Sequence, residues 1–292
     1  MRREFGSFCI LALAIGMSSE TAAQSPEAIV SNTDEQNSKK EKIVLEASLS
    51  PTFTLDARQD SLRDGRGDRL QDATAESGLK LSYETELSDV LKLTADLGAT
   101  TDSDWEPDDD DPSTSAFSAK VRLDREFADR GGWETSGFSS VGFENERDNF
   151  FERELGNTIT YAAGLSFVKP IGRIKFAVDP SIERVQSDNP YNDRWGPKIV
   201  AAGSFKFADR LKFKSSFTYQ YRIFDIAESG SRRRHLFIGK SGLEYTREFA
   251  RGFSLEAAAA FAVKVTDIED TNILRDKADV QFNPSISLKK TW

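Results

Sequence analysis

Apolar and polar residues alternate one for one along most of this chain. Ile43, Leu45, Ala47 and Leu49 interleave with Val44, Glu46, Ser48 and Ser50. Leu79, Leu81 and Tyr83 interleave with Lys80, Ser82 and Glu84; Leu91, Leu93, Ala95 and Leu97 interleave with Lys92, Thr94 and Asp96. Further on, Leu211, Phe213, Ser215, Phe217, Tyr219 and Tyr221 alternate with Lys212, Lys214, Ser216, Thr218, Gln220 and Arg222. A period of two sends successive side chains to opposite faces of an extended chain, so each run predicts a strand with one apolar and one polar face. Twelve runs are legible: 42–55, 76–87, 90–101, 115–128, 132–145, 157–168, 172–185, 197–208, 210–224, 234–248, 252–265 and 279–292. The run 252–265 holds the helix-favouring stretch Ala257 to Ala260, but Phe253, Leu255, Phe261 and Val263 share a face only in a strand.

The connections alternate as well. Short ones fall at Ser88-Asp89, Ala128 to Gly131, Lys169 to Ile171, Asp209 and Ala250-Arg251; long ones fall at 56–75, 102–114, 146–156, 186–196, 225–233 and 266–278. Three short turns share a local likeness, in EFADRGGW, KFADRLKF and EFARGFSL. The predicted strands run to twelve residues or more. A globular strand has about five or six residues, whereas a tilted membrane strand needs about 9–11 in the hydrocarbon layer plus its extensions. The chain ends on Trp292, preceded at steps of two by Lys290, Leu288, Ile286, Pro284 and Phe282.

That ending resembles the C-terminal assembly signal of bacterial outer-membrane β-barrels, an alternating strand closed by an aromatic residue and read by the barrel-assembly machinery. Phe282, Ile286, Leu288 and Trp292 carry the likeness, and Lys290 departs from the apolar preference at its position. The resemblance covers 42–292 and rests on architecture, not on a family-specific motif. It implies an all-β fold: a transmembrane antiparallel up-and-down barrel of about twelve strands, with short periplasmic turns and long extracellular loops. Both termini would be periplasmic, and outer-membrane lipid and lipopolysaccharide would surround the protein.

Composition changes this picture in two places. Hydrophobic residues make up 38% of the 292, and no run of eighteen apolar residues exists, so the chain has no candidate spanning helix. In lipid every backbone polar group must be paired, which leaves a closed sheet as the way across. At the N-terminus, Arg2 and Arg3 precede the apolar run Phe8 to Met17, and small residues at Thr21 to Ala23 suit cleavage after Ala23. Residues 1–23 therefore read as a signal peptide, and 24–41 as a disordered periplasmic lead-in. Cys9, the only cysteine, lies in the removed segment, so the mature chain carries no disulfide. A net charge of −9 gives no electrostatic ground for nucleic-acid binding.

The polar faces supply the candidate chemistry. In a membrane barrel they line the lumen. Lys175, Lys198, Lys206, Lys212, Lys214 and Arg222 gather on strands seven to nine. Glu84, Glu86, Asp96, Asp124 and Glu126 gather on strands two to four, with Glu244 and Glu256 further along. In a twelve-stranded barrel these groups would stand on facing walls and, as in general-diffusion porins, flank a constriction. The other reading is that they pair across a closed lumen. Phe127, Trp133, Phe167, Phe207, Phe249 and Phe253 flank short turns, and Tyr219, Tyr221 and Phe224 approach a long loop, as two interfacial girdles would.

The remaining motifs are weaker. Asp108 to Asp111, in loop 102–114, match no ordered calcium loop, so neither a metal nor another cofactor is expected. Arg232 to Arg234 could meet lipopolysaccharide phosphates. His235 is the one histidine; Ser231 and Ser241 are near it in sequence, but neither sits in a nucleophile motif. The expectation is a non-enzymatic, porin-like channel for small hydrophilic solutes. A structural or surface-interaction barrel with a plugged lumen is the alternative, and a lipid hydrolase using His235, like the outer-membrane phospholipases, is the less favoured third.

Overall fold

The computed structural model describes residues 41–56, 70–104, 114–148, 153–226, 233–268 and 277–292. The expected signal peptide 1–23, most of the expected lead-in 24–41, Asp108 to Asp111, Ser231 and Arg232 lie outside the described residues. Twelve strands follow in chain order: β1 Glu41–Asp56, β2 Leu70–Ser88, β3 Leu91–Asp104, β4 Thr114–Arg130, β5 Trp133–Asp148, β6 Arg153–Ile171, β7 Ile174–Ser187, β8 Arg194–Ala208, β9 Leu211–Phe224, β10 Arg233–Glu248, β11 Phe253–Ile268 and β12 Lys277–Thr291. Each pairs antiparallel with its neighbours in sequence, and β12 returns to β1, so the sheet is a closed barrel.

All twelve predicted runs are strands, but several are longer than their alternation. β2 begins at Leu70 instead of 76, β6 begins at Arg153 instead of 157, and β5 continues to Asp148. The cause is physical. Alternation is enforced only where one face meets an apolar medium, and the ladder continues past that band through stretches such as Leu70 to Glu76 and Arg153 to Gly156.

The apolar face points outward. Leu49, Leu79, Leu165, Ile182, Ile199, Phe217, Leu243, Phe261 and Leu288, drawn from nine strands around the wall, are all exposed. Inward positions include Ser118, Glu144, Ser166, Asp179, Gln220, Glu244 and Ser287, all buried. A soluble barrel does the reverse. An apolar surface that encircles the whole molecule marks contact with lipid.

At one end the hairpins close in tight turns. Arg130 pairs with Trp133 across Gly131 and Gly132, whose φ values of 62° and 75° are open to glycine without a Cβ penalty. The Ile171–Ile174 hairpin uses Gly172 in the same way. The Lys169 to Ile171 turn expected from sequence is therefore displaced by two residues, because β6 runs to Ile171 and leaves Gly172 to make the reversal.

Three ladders are interrupted beside a proline. Pairing of β6 with β7 skips from Gly164–Ser181 to Phe167–Val178, pairing of β8 with β9 skips from Trp195–Ile223 to Lys198–Gln220, and pairing of β1 with β12 skips from Leu49–Ile286 to Phe53–Phe282. Pro180, Pro197, and Pro51 with Pro284 stand at these gaps and have no N–H to donate to a ladder. Glycine lets the backbones close up at the first two: a Cβ on Gly164 would lie 2.4 Å from the Pro180 carbonyl oxygen, and one on Gly196 would lie 1.7 Å from that of Tyr221.

The closing seam is held on its lipid side by rings. Phe282 on β12 stacks on Phe53 of β1 at 6.3 Å and meets Phe261 of β11 at 4.9 Å. At the C-terminus the Trp292 N–H donates to the Ile43 carbonyl at 3.0 Å. Lys290 sits over the Phe253 and Trp292 rings at 4.8 and 5.3 Å and donates to the Arg251 carbonyl. Its aliphatic stem lies on the apolar side while its ammonium reaches the edge of the band, as long basic side chains do at an interface.

Candidate functional site

Strand parity carries a large set of ionised side chains into the lumen. In its middle and towards the tight-turn end, most ion pairs among the described residues join adjacent strands. Lys80 pairs with Asp96 at 3.3 Å and Lys92 with Glu84 at 2.7 Å. Arg122 holds Asp124 on its own strand at 2.7 Å, with its guanidinium 4.1 Å from the Phe138 ring centre. Lys198 reaches Glu183 at 3.3 Å, and the Gln220 amide donates to the same carboxylate at 2.8 Å. Lys214 pairs with Glu244, and Lys289 lies between Glu256 at 2.7 Å and Glu46 at 3.5 Å. Their exposure varies: the side chains of Lys80 and Glu84 are 47% and 35% exposed, that of Glu244 only 8%.

The residues singled out from sequence thus separate. Glu84, Asp96, Asp124, Lys198 and Lys214 are inward and bound to near neighbours, and Arg222 donates its Nε to Gln220 at 3.0 Å. Lys175 is inward near the tight-turn end, level with Ser204. Lys206 and Lys212 face each other across the β8–β9 ladder, and Glu86, Glu126 and Lys206 are exposed at the tight-turn rim. The structure does not set these two groups against each other as free charges on opposite walls.

Opposed charge does occur in the long-loop half, built largely from other residues. Glu76 and Asp102 share a rung of β2 and β3, and Asp102 connects through Thr114 to Asp148 on β5. Glu144 and Glu146 follow on β5, with Glu144 and Asp148 buried. Small residues, among them Gly78, Thr100, Ala116 and Ser118, fill the space between them. Half a circumference away, Arg194 on β8, Arg222 on β9 and Arg234 on β10 occupy the inner face. Glu76 and Lys240 are near enough across the lumen to interact electrostatically. Sequence reasoning missed Arg194, Asp102 and Asp148 because each fell within or beside a predicted loop. Strand parity becomes readable at those positions only once the ladder is known to extend that far.

One aromatic assignment is corrected. Phe224 is not part of an outer girdle. As an even-numbered residue of β9 it shares the inner face with Gln220 and is buried. Phe127, Phe207, Phe249 and Phe253 are exposed by the tight turns. Tyr219 and Tyr221 lie outside near the long-loop end together with His235: the Tyr219 hydroxyl is 3.0 Å from His235 Nδ1, and the Tyr221 ring centre is 4.8 Å from that of the imidazole. Ser241 is bonded to Ser215 at 2.9 Å. It stands six residues along β10 from His235, roughly 20 Å at strand rise, so the two do not form a nucleophile–base pair.

An apolar exterior, an ionised interior and a ladder closed on itself define the class: this is a β-barrel of the outer-membrane type. Among solved structures, the barrel resembles the COG4313 outer membrane channel from Pseudomonas putida F1, with a TM-score of 0.54 at 11% identity, over 90% of this chain and 100% of that one. It also resembles LpxR from Salmonella typhimurium, with a TM-score of 0.42 at 12% identity, over 82% of this chain and 99% of that one. No protein-family model matches the chain, and no curated protein matches it in sequence. LpxR is an outer-membrane enzyme. The expectation that this chain is not an enzyme therefore does not stand. At these identities the likeness concerns the fold alone.

Proposed function

We propose that this chain is an outer-membrane channel passing small hydrophilic solutes through its charged lumen. The observation that supports the reading best is the arrangement of charge. Ion pairs run along the wall between neighbouring strands, while the long-loop half sets carboxylates on β2, β3 and β5 opposite guanidinium groups on β8 to β10. A plug held by side chains would instead call for pairs spanning the lumen. Twelve strands also enclose a wider interior than eight, which side chains alone can fill.

The same reading places the tight turns and both termini in the periplasm, since an even strand count returns the chain to the side it left. Residues 1–23 are removed on export, and Phe282, Ile286, Leu288 and Trp292 present the closing strand to the barrel-assembly machinery. Lipid and lipopolysaccharide contact the exposed apolar band.

The test is conductance of the refolded mature chain in a planar bilayer under a salt gradient. Discrete steps are expected, with cation preference reduced in Glu76→Gln/Asp102→Asn. A silent bilayer, alongside correct folding by heat-dependent gel mobility, overturns the channel.

A further inference from the structure

The tight-turn mouth carries a basic sector on three neighbouring strands. Residues 169–175 and 204–214 hold seven basic side chains and one acid, Asp209. Lys175 on β7, Lys206 on β8 and Lys212 on β9 share the inner face there. Lys175 is level with Ser204, the inward position next to Lys206, and Lys206 and Lys212 are directly opposed across the ladder. Like charges so placed destabilise a sheet. The turns add Arg173, whose carbonyl accepts the Lys206 N–H at 3.2 Å, and Arg210, whose carbonyl accepts the Thr246 N–H at 2.9 Å. Among the described residues none of these five side chains has an ion pair or a hydrogen bond. Glu244 is the neighbour of Lys212 on β10, but Lys214 holds its carboxylate. Arg173, Lys206, Asp209 and Arg210 are exposed, and Lys175 and Lys212 are half-buried. One acid against five unpaired cations leaves the sector positive and open to water.

A single ammonium in water holds a monovalent anion weakly, because both charges stay solvated. Three of them on adjacent strands, spaced about 4.8 Å apart, act together only on an anion whose charge is spread over a similar length. That favours linked oxyanions over one compact ion. Lysine suits phosphate oxygens as a point charge with three donors. Orientation decides between a solute and a lipid headgroup. The three lysines stand at lumen-facing positions, whereas Lys169 pairs in register with the outward Phe176 and lies over the Trp133 ring at 5.3 Å, as an interfacial anchor does.

From this placement we infer that Lys175, Lys206 and Lys212, with Arg173 and Arg210 at the rim, form a binding site at the tight-turn mouth for anions with several linked phosphates, of the tripolyphosphate class. The phosphates bridge the three strands and supply the counter-charge that the opposed lysines lack. The inference rests on the channel reading and deepens it by naming a solute class for the same lumen.

The test is calorimetric titration of the detergent-folded full mature chain with tripolyphosphate and orthophosphate at matched ionic strength, without divalent cations. Tripolyphosphate should bind about ten-fold more tightly than orthophosphate. Lys175→Gln/Lys206→Gln/Lys212→Gln should abolish that preference. Lys206→Gln alone should weaken tripolyphosphate about three-fold, whereas Lys42→Gln, which removes one exposed charge from β1 at the same end of the barrel, should leave it unchanged. Each variant is checked for heat-dependent gel mobility, and Lys206→Gln stands in if the triple variant does not fold. Tripolyphosphate binding no tighter than orthophosphate, unchanged in the folded lysine variant tested, or weakened equally by Lys42→Gln and Lys206→Gln overturns the site. A chain that binds tripolyphosphate as expected but is silent in a bilayer keeps the site and loses the channel. One that conducts without binding tripolyphosphate loses the site alone.

Discussion

Gly196 and Pro197 stand together on β8 where its ladder with β9 is interrupted. Proline supplies no donor there, and glycine lets the Tyr221 carbonyl approach to within 1.7 Å of where a Cβ would be. Gly196→Ala must therefore push the two backbones apart, at a cost of about 1–3 kcal/mol as for other overpacked sites. Gly203, on the same strand, has nothing within 4 Å of an added Cβ, so Gly203→Ala should be neutral or slightly stabilising. Urea unfolding in lipid vesicles separates the two; equal midpoints would show that the close approach is not constrained. Individual roles of this kind were the least legible part of the sequence. A Gly-Pro pair reads as a turn, and only the neighbouring strand reveals that Gly196 makes room for a carbonyl. Arg194 was hidden for a similar reason. It precedes that pair and fell in a predicted loop, so nothing marked it as facing inward until β8 was found to begin there.

Strands were legible because the medium enforces their pattern. Between lipid and lumen a side chain on the wrong face is penalised, so Leu211 to Arg222 alternates without exception in charge and apolarity apart from Ser215. Ser215 is tolerated outside because its hydroxyl meets that of Ser241 on the next strand at 2.9 Å. The facing of β9 gives a paired expectation. Phe217→Arg puts a guanidinium into lipid near mid-strand and should destabilise the barrel by about 2–4 kcal/mol, whereas Thr218→Arg places it in the lumen at little cost. Folding yield and unfolding midpoint in vesicles of defined lipid measure both. Equal penalties would mean that the lumen is as apolar as the exterior. Strand ends were not legible because that enforcement stops at the edge of the apolar band, and the six additional residues of β2 carry no alternation that water requires.

For the whole molecule, closure determines both stability and use. β1 and β12 lie at opposite ends of the sequence, and the Phe53–Phe282–Phe261 row and the Trp292–Ile43 hydrogen bond staple their seam. Phe282→Ser should lower the unfolding midpoint more than Phe213→Ser on β9, since the first removes ring contacts to two neighbouring strands at the closing seam; a larger effect from Phe213 would place the weak point of the barrel elsewhere. Architecture and strand number could be read from the sequence because they repeat, whereas the arrangement of charge could not. Facing walls were assigned to Lys212, Lys214, Glu84 and Asp124, but short distances along the wall favour neighbours. Lys214 finds Glu244 and Lys92 finds Glu84 before either can reach across. The opposed charge lies nearer the long loops, on residues whose strands the alternation did not reach.

A chain whose one cysteine is Cys9, in the proposed signal peptide, allows a direct test of which face meets water. Single cysteines would be placed at successive positions from Lys214 to Gln220 and treated, in refolded proteoliposomes, with a water-soluble, membrane-impermeant thiol reagent. Labelling at positions 214, 216, 218 and 220, with protection at 215, 217 and 219, is the outcome expected of a water-filled lumen inside a lipid-facing apolar wall. Labelling at the odd positions, or protection at both sets, would contradict it.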